Sequence, residues 1–433
     1  MKEMANKKRY SPKRIKVEVK PSFFLEQKIS LIIMILAASL AAFSIIFGLS
    51  VERAKADNST FTRGFFIPAY FVPADFEQYK AELNAKFDLM DVPRNVDISG
   101  IDSEKIIVIN SPGLSYSNSW GRPDEWNVVN SHEDWFMHSS LPATSENRIP
   151  LGGYPQLYYM DVGAEGWKNF IASLADQTMT NYPTADGVYI DGPTDPDEYE
   201  SILGPGLAYP EYDKNTYISK ISTFLSAIKN AVNQKMVILN SNLYKPFTTD
   251  MDGGLAEGFV HFGGWPNSRQ ETKVQWLAEI NQISDTEFNG KYILIGSGSL
   301  EVTLPSMVEY CYASFLIGYN PSSHAYFYWH SNAEGGYGTL YWTSLWDMDI
   351  GEPTGNYYVE NGIYKRNFTN GLVLVNPQNS GTGYDSVTVN LGSNYINSSG
   401  QTVYSVTLTP KTSAVLMKGD QTAPAAVNDL SSS

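Results

Sequence analysis

Four polar residues stand at the ends of, or inside, short apolar runs of this sequence. Asp161 closes Leu157-Tyr-Tyr-Met, Asp191 closes Val188-Tyr-Ile, Asn240 closes Met236-Val-Ile-Leu, and Glu257 lies inside Leu255-Ala-Glu-Gly-Phe259. Two carboxyl groups flanking one bond can break it by acid and base catalysis if their surroundings keep one protonated and the other ionised. Hydrolysis of a glycosidic bond needs such a pair. Asp191 and Glu257 fit the pair best, leaving Asp161 to bind sugar hydroxyls and Asn240 to hydrogen-bond a hydroxyl beside the reacting carbon. The competing reading is that Asp and Asn at strand ends cap the helices that follow, which accounts for one such residue more easily than for four.

Aromatic side chains gather near the same positions. Trp265 sits in the loop Gly263-Gly-Trp-Pro266, and Tyr328, Trp329 and His330 close a later run. Aromatic faces pack against the C–H side of pyranose rings, so these four are candidate substrate contacts, with Trp265 foremost. The five histidines, His132, His138, His261, His324 and His330, show no pairwise metal-ligand spacing, so no metal site is expected. No glycine-rich phosphate loop follows a strand and no Gly-x-Ser-x-Gly elbow is present, so no cofactor is expected either.

Distant residues meet if the runs that carry them are parallel strands of one closed barrel, because all the C-terminal strand ends then share one mouth. Eight runs qualify: Phe87–Met90, Ile106–Asn110, Leu157–Asp161, Val188–Asp191, Met236–Asn240, Leu255–Phe259, Tyr292–Ile295 and Ala325–Trp329. Between them lie segments with apolar residues at three- and four-residue steps, such as Trp167–Met179, Tyr217–Asn233, Thr272–Ile283 and Leu304–Ile317. The alternation predicts an α/β fold, a (β/α)8 TIM barrel over residues 85–362. The step from Asn240 to Glu257 leaves room only for a short or distorted helix, and Phe65-Phe-Ile-Pro-Ala-Tyr-Phe71 falls outside the count of eight. Residues 57–84 are therefore expected to hold a linker and an extra strand outside the ring. From about Ile363 the texture changes to alternating apolar residues between Asn, Gly and Ser turns, which predicts a small all-β sandwich over 363–419. Residues 420–433 resemble a linker leading to a fibronectin-type module.

Residues 1–56 carry eleven Lys and Arg against four Glu, a net of +7, so a chain of net −15 leaves −22 for the remainder. A body that acidic repels nucleic acid and anionic lipid. The basic opening runs into the largely apolar 23-residue stretch Ile29–Val51, enough to span a bilayer, and Ala54-Lys-Ala56 then offers a signal-peptidase pattern. Residues 1–56 are thus expected to be a cytoplasmic basic segment followed by a signal peptide or membrane anchor, with the working part outside the cell. Membrane association is expected only through this N-terminal helix. The single cysteine, Cys311, sits in an apolar helical pattern, so it should be buried and inert, and the fold must rely on its core rather than on a disulfide.

Three motifs carry a resemblance. Glu133-Asp-Trp-Phe-Met-His138, then Tyr158-Tyr-Met-Asp-Val162 followed by Trp167, and Asp186-Gly-Val-Tyr-Ile-Asp-Gly192 resemble the signature of glycoside hydrolase-like barrel families near the α-galactosidase superfamily. The likeness extends more loosely to about Lys418, since Asn370-Gly-Leu-Val-Leu-Val-Asn-Pro377 looks like the start of the small β-domain that closes such proteins. In that superfamily the nucleophile ends strand four and the acid/base ends strand six. The resemblance therefore implies Asp191 as nucleophile and Glu257 as acid/base in a retaining hydrolase acting on an extracellular polysaccharide or oligosaccharide. A non-catalytic carbohydrate-binding or cell-surface protein on a degenerate barrel is the alternative, because fold alone does not confer activity. Whether Asp191 and Glu257 face each other across one mouth discriminates the two. A deacetylase or lyase is the third possibility, and a bound metal or an unsaturated, ultraviolet-absorbing product would mark it.

Export makes a direct prediction. N-terminal sequencing of released protein should read from near Asp57, and recovery of the intact chain from cytosol would contradict it.

Overall fold

Residues 64–68, 73–117, 123–152, 154–191, 196–240, 243–263, 271–299, 304–331 and 340–419 are described by the computed structural model. Eight parallel strands close into a ring: β1 (Gly64–Ile67), β2 (Leu89–Val92), β3 (Ile106–Pro112), β4 (Gly187–Asp191), β5 (Met236–Asn240), β6 (Gly253–Gly263), β7 (Tyr292–Ser299) and β8 (His324–Ser331). Each pairs with its sequence neighbour, and β1 closes on β8 through Gly64 opposite Tyr326 and Phe65 opposite Phe327. The long connecting helices are α1 (Pro73–Lys86), α2 (Glu165–Asn181), α3 (Lys214–Ala231), α4 (Lys273–Ile283) and α5 (Pro305–Gly318), with shorter helices at Pro123–Asn130 and Pro196–Ile202. Among the described residues, the short step after β5 holds the 3-10 turn Lys245–Phe247, as its length requires.

Two assignments from the sequence change. Phe65-Phe-Ile is not an extra strand outside the ring but its first strand, so the barrel begins within the stretch read as linker, ahead of residue 85. Its four residues are all buried, and with α1 behind it β1 forms an ordinary βα unit. Conversely, Leu157–Asp161 is not barrel strand three. It ends the antiparallel strand Tyr154–Tyr159, which pairs with Ser115–Ser117 and Pro150–Leu151 in a three-stranded sheet inserted between β3 and α2. An apolar run does not reveal whether its ladder partner is parallel or antiparallel. The two changes offset each other, so Asp191 still ends the fourth strand and Glu257 still lies on the sixth.

The C-terminal part is antiparallel, but it is one hydrogen-bonded sheet and not a sandwich of two separate sheets. Its strands are β9 (Tyr358–Glu360), β10 (Ile363–Asn367), β11 (Gly371–Asn376), β12 (Val387–Ile396), β13 (Thr402–Leu408) and β14 (Thr412–Lys418), in the order β9-β10-β11-β14-β12-β13. The ladder breaks register between Asn390 and Tyr395, and β12 meets β14 only through Tyr395 and Ile396. That break lets the sheet fold over, so that Val389 and Leu408 pack on Ile363, Leu372, Leu374 and Leu416.

Helix α5 explains how barrel and sheet are joined. It is apolar almost all round, with Tyr310–Gly318 entirely buried, because it is covered by β6 to β8 on one side and β11 and β14 on the other. Cys311 is fully buried there, as expected, and burial pushes its thiol up and out of reactive range. Polar groups fix the seam. Glu309 accepts Val415 N–H at 3.0 Å and Ser398 O–H at 3.1 Å. Arg366 of β10, 4% exposed, donates to the carbonyls of Leu316, Ile317 and Tyr319 at 3.0, 3.0 and 2.6 Å and to Gly355 at 3.0 Å. The helix ends with carbonyls that have no intrahelical partner, and one guanidinium satisfies them.

Among the described residues no helix is long and apolar enough to cross a membrane. Ile29–Val51 and residues 420–433 lie outside them. Replacing Arg366 by Met should leave several buried carbonyls unsatisfied and lower unfolding free energy by about 3 kcal/mol. A urea midpoint equal to that of the wild type would show the carbonyl cage to be dispensable.

Candidate active site

The ring sets five inward-facing polar residues side by side. Successive strands β2 to β6 contribute Asp91, Asn110, Asp191, Asn240 and Glu257, alternating carboxylate with carboxamide. Strand residues two apart share a face, so Asn110 lies on the same side of β3 as Pro112, whose register partner on β4 is Asp191. Asn110 Nδ2 donates to Asp91 Oδ2 at 3.3 Å. Asn240 Nδ2 donates to Asp191 Oδ1 at 3.2 Å and to Glu257 Oε2 at 3.1 Å.

Asn240 is therefore the hinge of the site. It is 4% exposed, whereas Asp191 is half-buried and Glu257 is open to solvent. Both carboxyl oxygens touch one nitrogen, so Asp191 and Glu257 face the same space. The backbone around Asp191 is packed tightly. Leu114 N–H bonds the Asp191 carbonyl at 3.4 Å, and a Cβ on Gly113 would stand 2.9 Å from that carbonyl and 2.2 Å from Ile190. Only glycine lets β3 run out beside β4 so closely.

The other sequence candidates separate. Asp161 follows the inserted sheet rather than a barrel strand. Its Oδ1 accepts Gly163 N–H at 2.8 Å and Tyr212 O–H at 2.9 Å, a turn that leads into α2. Burial pushes its carboxyl up, partly opposed by those bonds. These contacts are structural, and they replace the strand-end position on which its sugar-binding role was based. Trp329 is fully buried and stacks on His261 at 6.4 Å. It points away from the face shared by its neighbours Tyr328 and His330, whose rings lie 6.4 Å apart. Of that triplet, Trp329 is thus withdrawn as a substrate contact. Tyr328, 5% exposed, packs 5.8 Å from Phe66 inside the ring, and burial lowers the pKa of His330, favouring the neutral ring. Trp265 lies outside the described residues.

Asp91 and Asn110 were missed. Both end apolar runs by the same rule that singled out Asp191 and Asn240, so the rule, applied to the first two runs, would have found them. Among the described residues no group of three His, Cys, Asp or Glu is arranged to hold a metal ion.

Glu133-Asp-Trp-Phe-Met-His138 has a structural role in the insertion. Glu133 receives Arg148 through two parallel bonds, Nε to Oε1 at 2.8 Å and Nη2 to Oε2 at 2.6 Å, and His138 Nε2 lies 2.7 Å from Oε1. The Arg148 guanidinium lies 3.7 Å over the ring of Phe136 and also reaches Asn130. The Arg148 hydrogen bonds hold the Glu133 carboxyl below the usual glutamate range, against the opposing effect of burial.

Residues 111–372 match the model of hypothetical glycosyl hydrolase family 15. No curated protein sequence matches the chain. Among solved structures, the debranching enzyme of Nostoc punctiforme is similar at 10% identity and a TM-score of 0.47, over 81% of this chain and 89% of that one. The maltogenic α-amylase AmyB of Thermotoga neapolitana is similar at 9% identity and 0.47, over 82% and 98%. The glycoside hydrolase domain of PelA from Pseudomonas aeruginosa is similar at 11% identity and 0.40, over 61% and 96%.

The Glu133 cluster predicts a pH effect on stability. Its carboxyl is held below the unfolded value of 4.5, so the cluster's contribution is complete above that pH and is lost as pH falls through the lower folded value. Glu133→Gln should melt earlier than wild type at neutral pH, and the gap should close in acid. A gap that is constant with pH would contradict the linkage.

Proposed function

Because the chain belongs to hypothetical glycosyl hydrolase family 15 and is a glycoside hydrolase acting on carbohydrate, we propose that Asp191 and Glu257 are its catalytic pair and that it works with retention. The observation that carries this reading is the shared donor. Both acceptor oxygens lie within reach of one nitrogen, at 3.2 and 3.1 Å, so they stand at most about 6.3 Å apart, below the range of about 6.5–9.5 Å that suits an inverting pair. A pair facing one space also favours catalysis over a degenerate binding barrel.

Asp191 attacks the anomeric carbon while Glu257 gives its proton to the leaving oxygen, and a glycosyl ester forms on Asp191. Glu257, now a carboxylate, takes a proton from water as that water attacks the same carbon and releases Asp191. Asn240 holds the attacking and the proton-transferring oxygens in register throughout. Glu257 is open to solvent, so a leaving group and then a water can reach its carboxyl, and the proton it gives in the first step is returned by the attacking water in the second. The substrate is an extracellular polysaccharide or oligosaccharide. The acidic body and the export signal read from residues 1–56 support a location outside the cell, free or tethered by that segment.

A screen of dye-linked polysaccharides identifies the substrate. On it, Asp191→Asn should lose at least about 10³-fold in kcat while remaining folded. Glu257→Gln should lose on the order of 10²–10⁴-fold on substrates with poor leaving groups and far less on activated aryl glycosides. Full activity of Asp191→Asn would refute the assignment.

A further inference from the structure

Strand β6 does not run straight past Glu257. Glu257 pairs with Gly296, but the next pair is Phe262 with Gly298, so Gly258–His261 stand opposite Ser297 alone. The bulge starts at the residue after Glu257 and contains two left-handed residues, Gly258 at φ 85° and Val260 at φ 61°. Glycine adopts that region freely. A β-branched residue there is strained and persists only where its surroundings force it. Val260 is buried, so solvent does not hold it.

Two bonds do. Helix α4, in the outer layer, sends Glu279 to accept Val260 N–H at Oε2, 2.6 Å away. From the other side, the fully buried Ser297 donates its hydroxyl to the Phe259 carbonyl at 2.6 Å. The ladder to β7 is intact before and after the bulge, so barrel closure alone does not call for it. What the bulge changes is the direction of the strand beyond Glu257, and bulges beside active sites re-aim side chains in this way.

We propose that Glu279 is a positioning residue for the acid/base, clamping the strained bulge so that the Glu257 carboxyl stays on Asn240 and at the leaving oxygen. This rests on the reading of Glu257 as acid/base. Glu279 acts through the backbone of Val260 and not on substrate. Its loss lets Val260 relax to a negative φ and turns the strand end, and with it Glu257, away from the bond to be protonated. Substrate binding and the attack by Asp191 are left intact.

The test compares methyl and 2,4-dinitrophenyl glycosides of one sugar that the wild-type protein cleaves. Glu279→Ala should lower kcat on the methyl glycoside at least about tenfold, leave KM within about twofold, and barely affect the dinitrophenyl glycoside, whose leaving group needs no proton. Glu279→Gln keeps an acceptor oxygen for Val260 N–H and should recover most of that loss. A purely structural role would lower Tm and slow both substrates equally. If Glu279→Ala does not fold, Ser297→Ala releases the other side of the bulge and should show the same selective loss. Folded variants with the wild-type ratio of the two rates overturn the proposal. If Glu257→Gln itself shows no leaving-group selectivity, the acid/base reading fails instead, and the two failures are thereby distinguished.

Discussion

Two carboxylates that face the same space repel each other, and a fold that keeps them together must supply a group that attracts both. In this protein that group is the Asn240 amide, donating from one nitrogen to Asp191 and Glu257. A carboxamide is neutral, planar and short, so it joins the two acids without neutralising either as a lysine or arginine would. It can do so only from the strand between theirs. Asn240 ends β5, with Asp191 at the end of β4 and Glu257 on β6, so the geometry of the pair depends on three adjacent parallel strands staying in register.

The rest of the molecule serves that register. Strand β1, only four residues long, closes the ring against β8 and β2. Helix α5 is enclosed between the barrel and the C-terminal sheet, and Arg366 and Glu309 tie its backbone and side chain to that sheet. The sheet thus acts as a brace on the β7–β8 side of the ring, opposite the arc from Asp91 to Glu257. The insertion after β3 is organised separately, around the Glu133–Arg148 pair and its aromatic neighbours, and its last turn reaches α2 through Asp161. The bulge of β6 belongs to the same economy, since strain at Val260 is tolerated where Glu279 and Ser297 hold it.

Much of this was legible in the residues themselves. Apolar repeats at helical spacing located α2 to α5 within a few residues, because burial of one helix face, or in α5 of nearly every face, is written in the chain. Strand-ending Asp and Asn pointed to the mouth for Asp191 and Asn240, and would have done so for Asp91 and Asn110. The fate of Cys311 followed from its apolar surroundings.

What the sequence could not decide was partnership across distance. Phe65-Phe-Ile and Leu157-Tyr-Tyr-Met are both short apolar runs, yet one closes a parallel ring and the other joins an antiparallel sheet, because the choice rests on hydrogen-bond partners tens to hundreds of residues away. Likewise Tyr328, Trp329 and His330 are consecutive, and only the direction of the barrel axis determines that Trp329 faces outward, fully buried, while its neighbours face in. Side-chain alternation is local, but which side is the inside is not. Sequence alone therefore determined which residues are able to perform acid and base chemistry. The tertiary structure decided which of them meet, since the bonds from Asn240 to Asp191 and Glu257 exist only after the ring has closed.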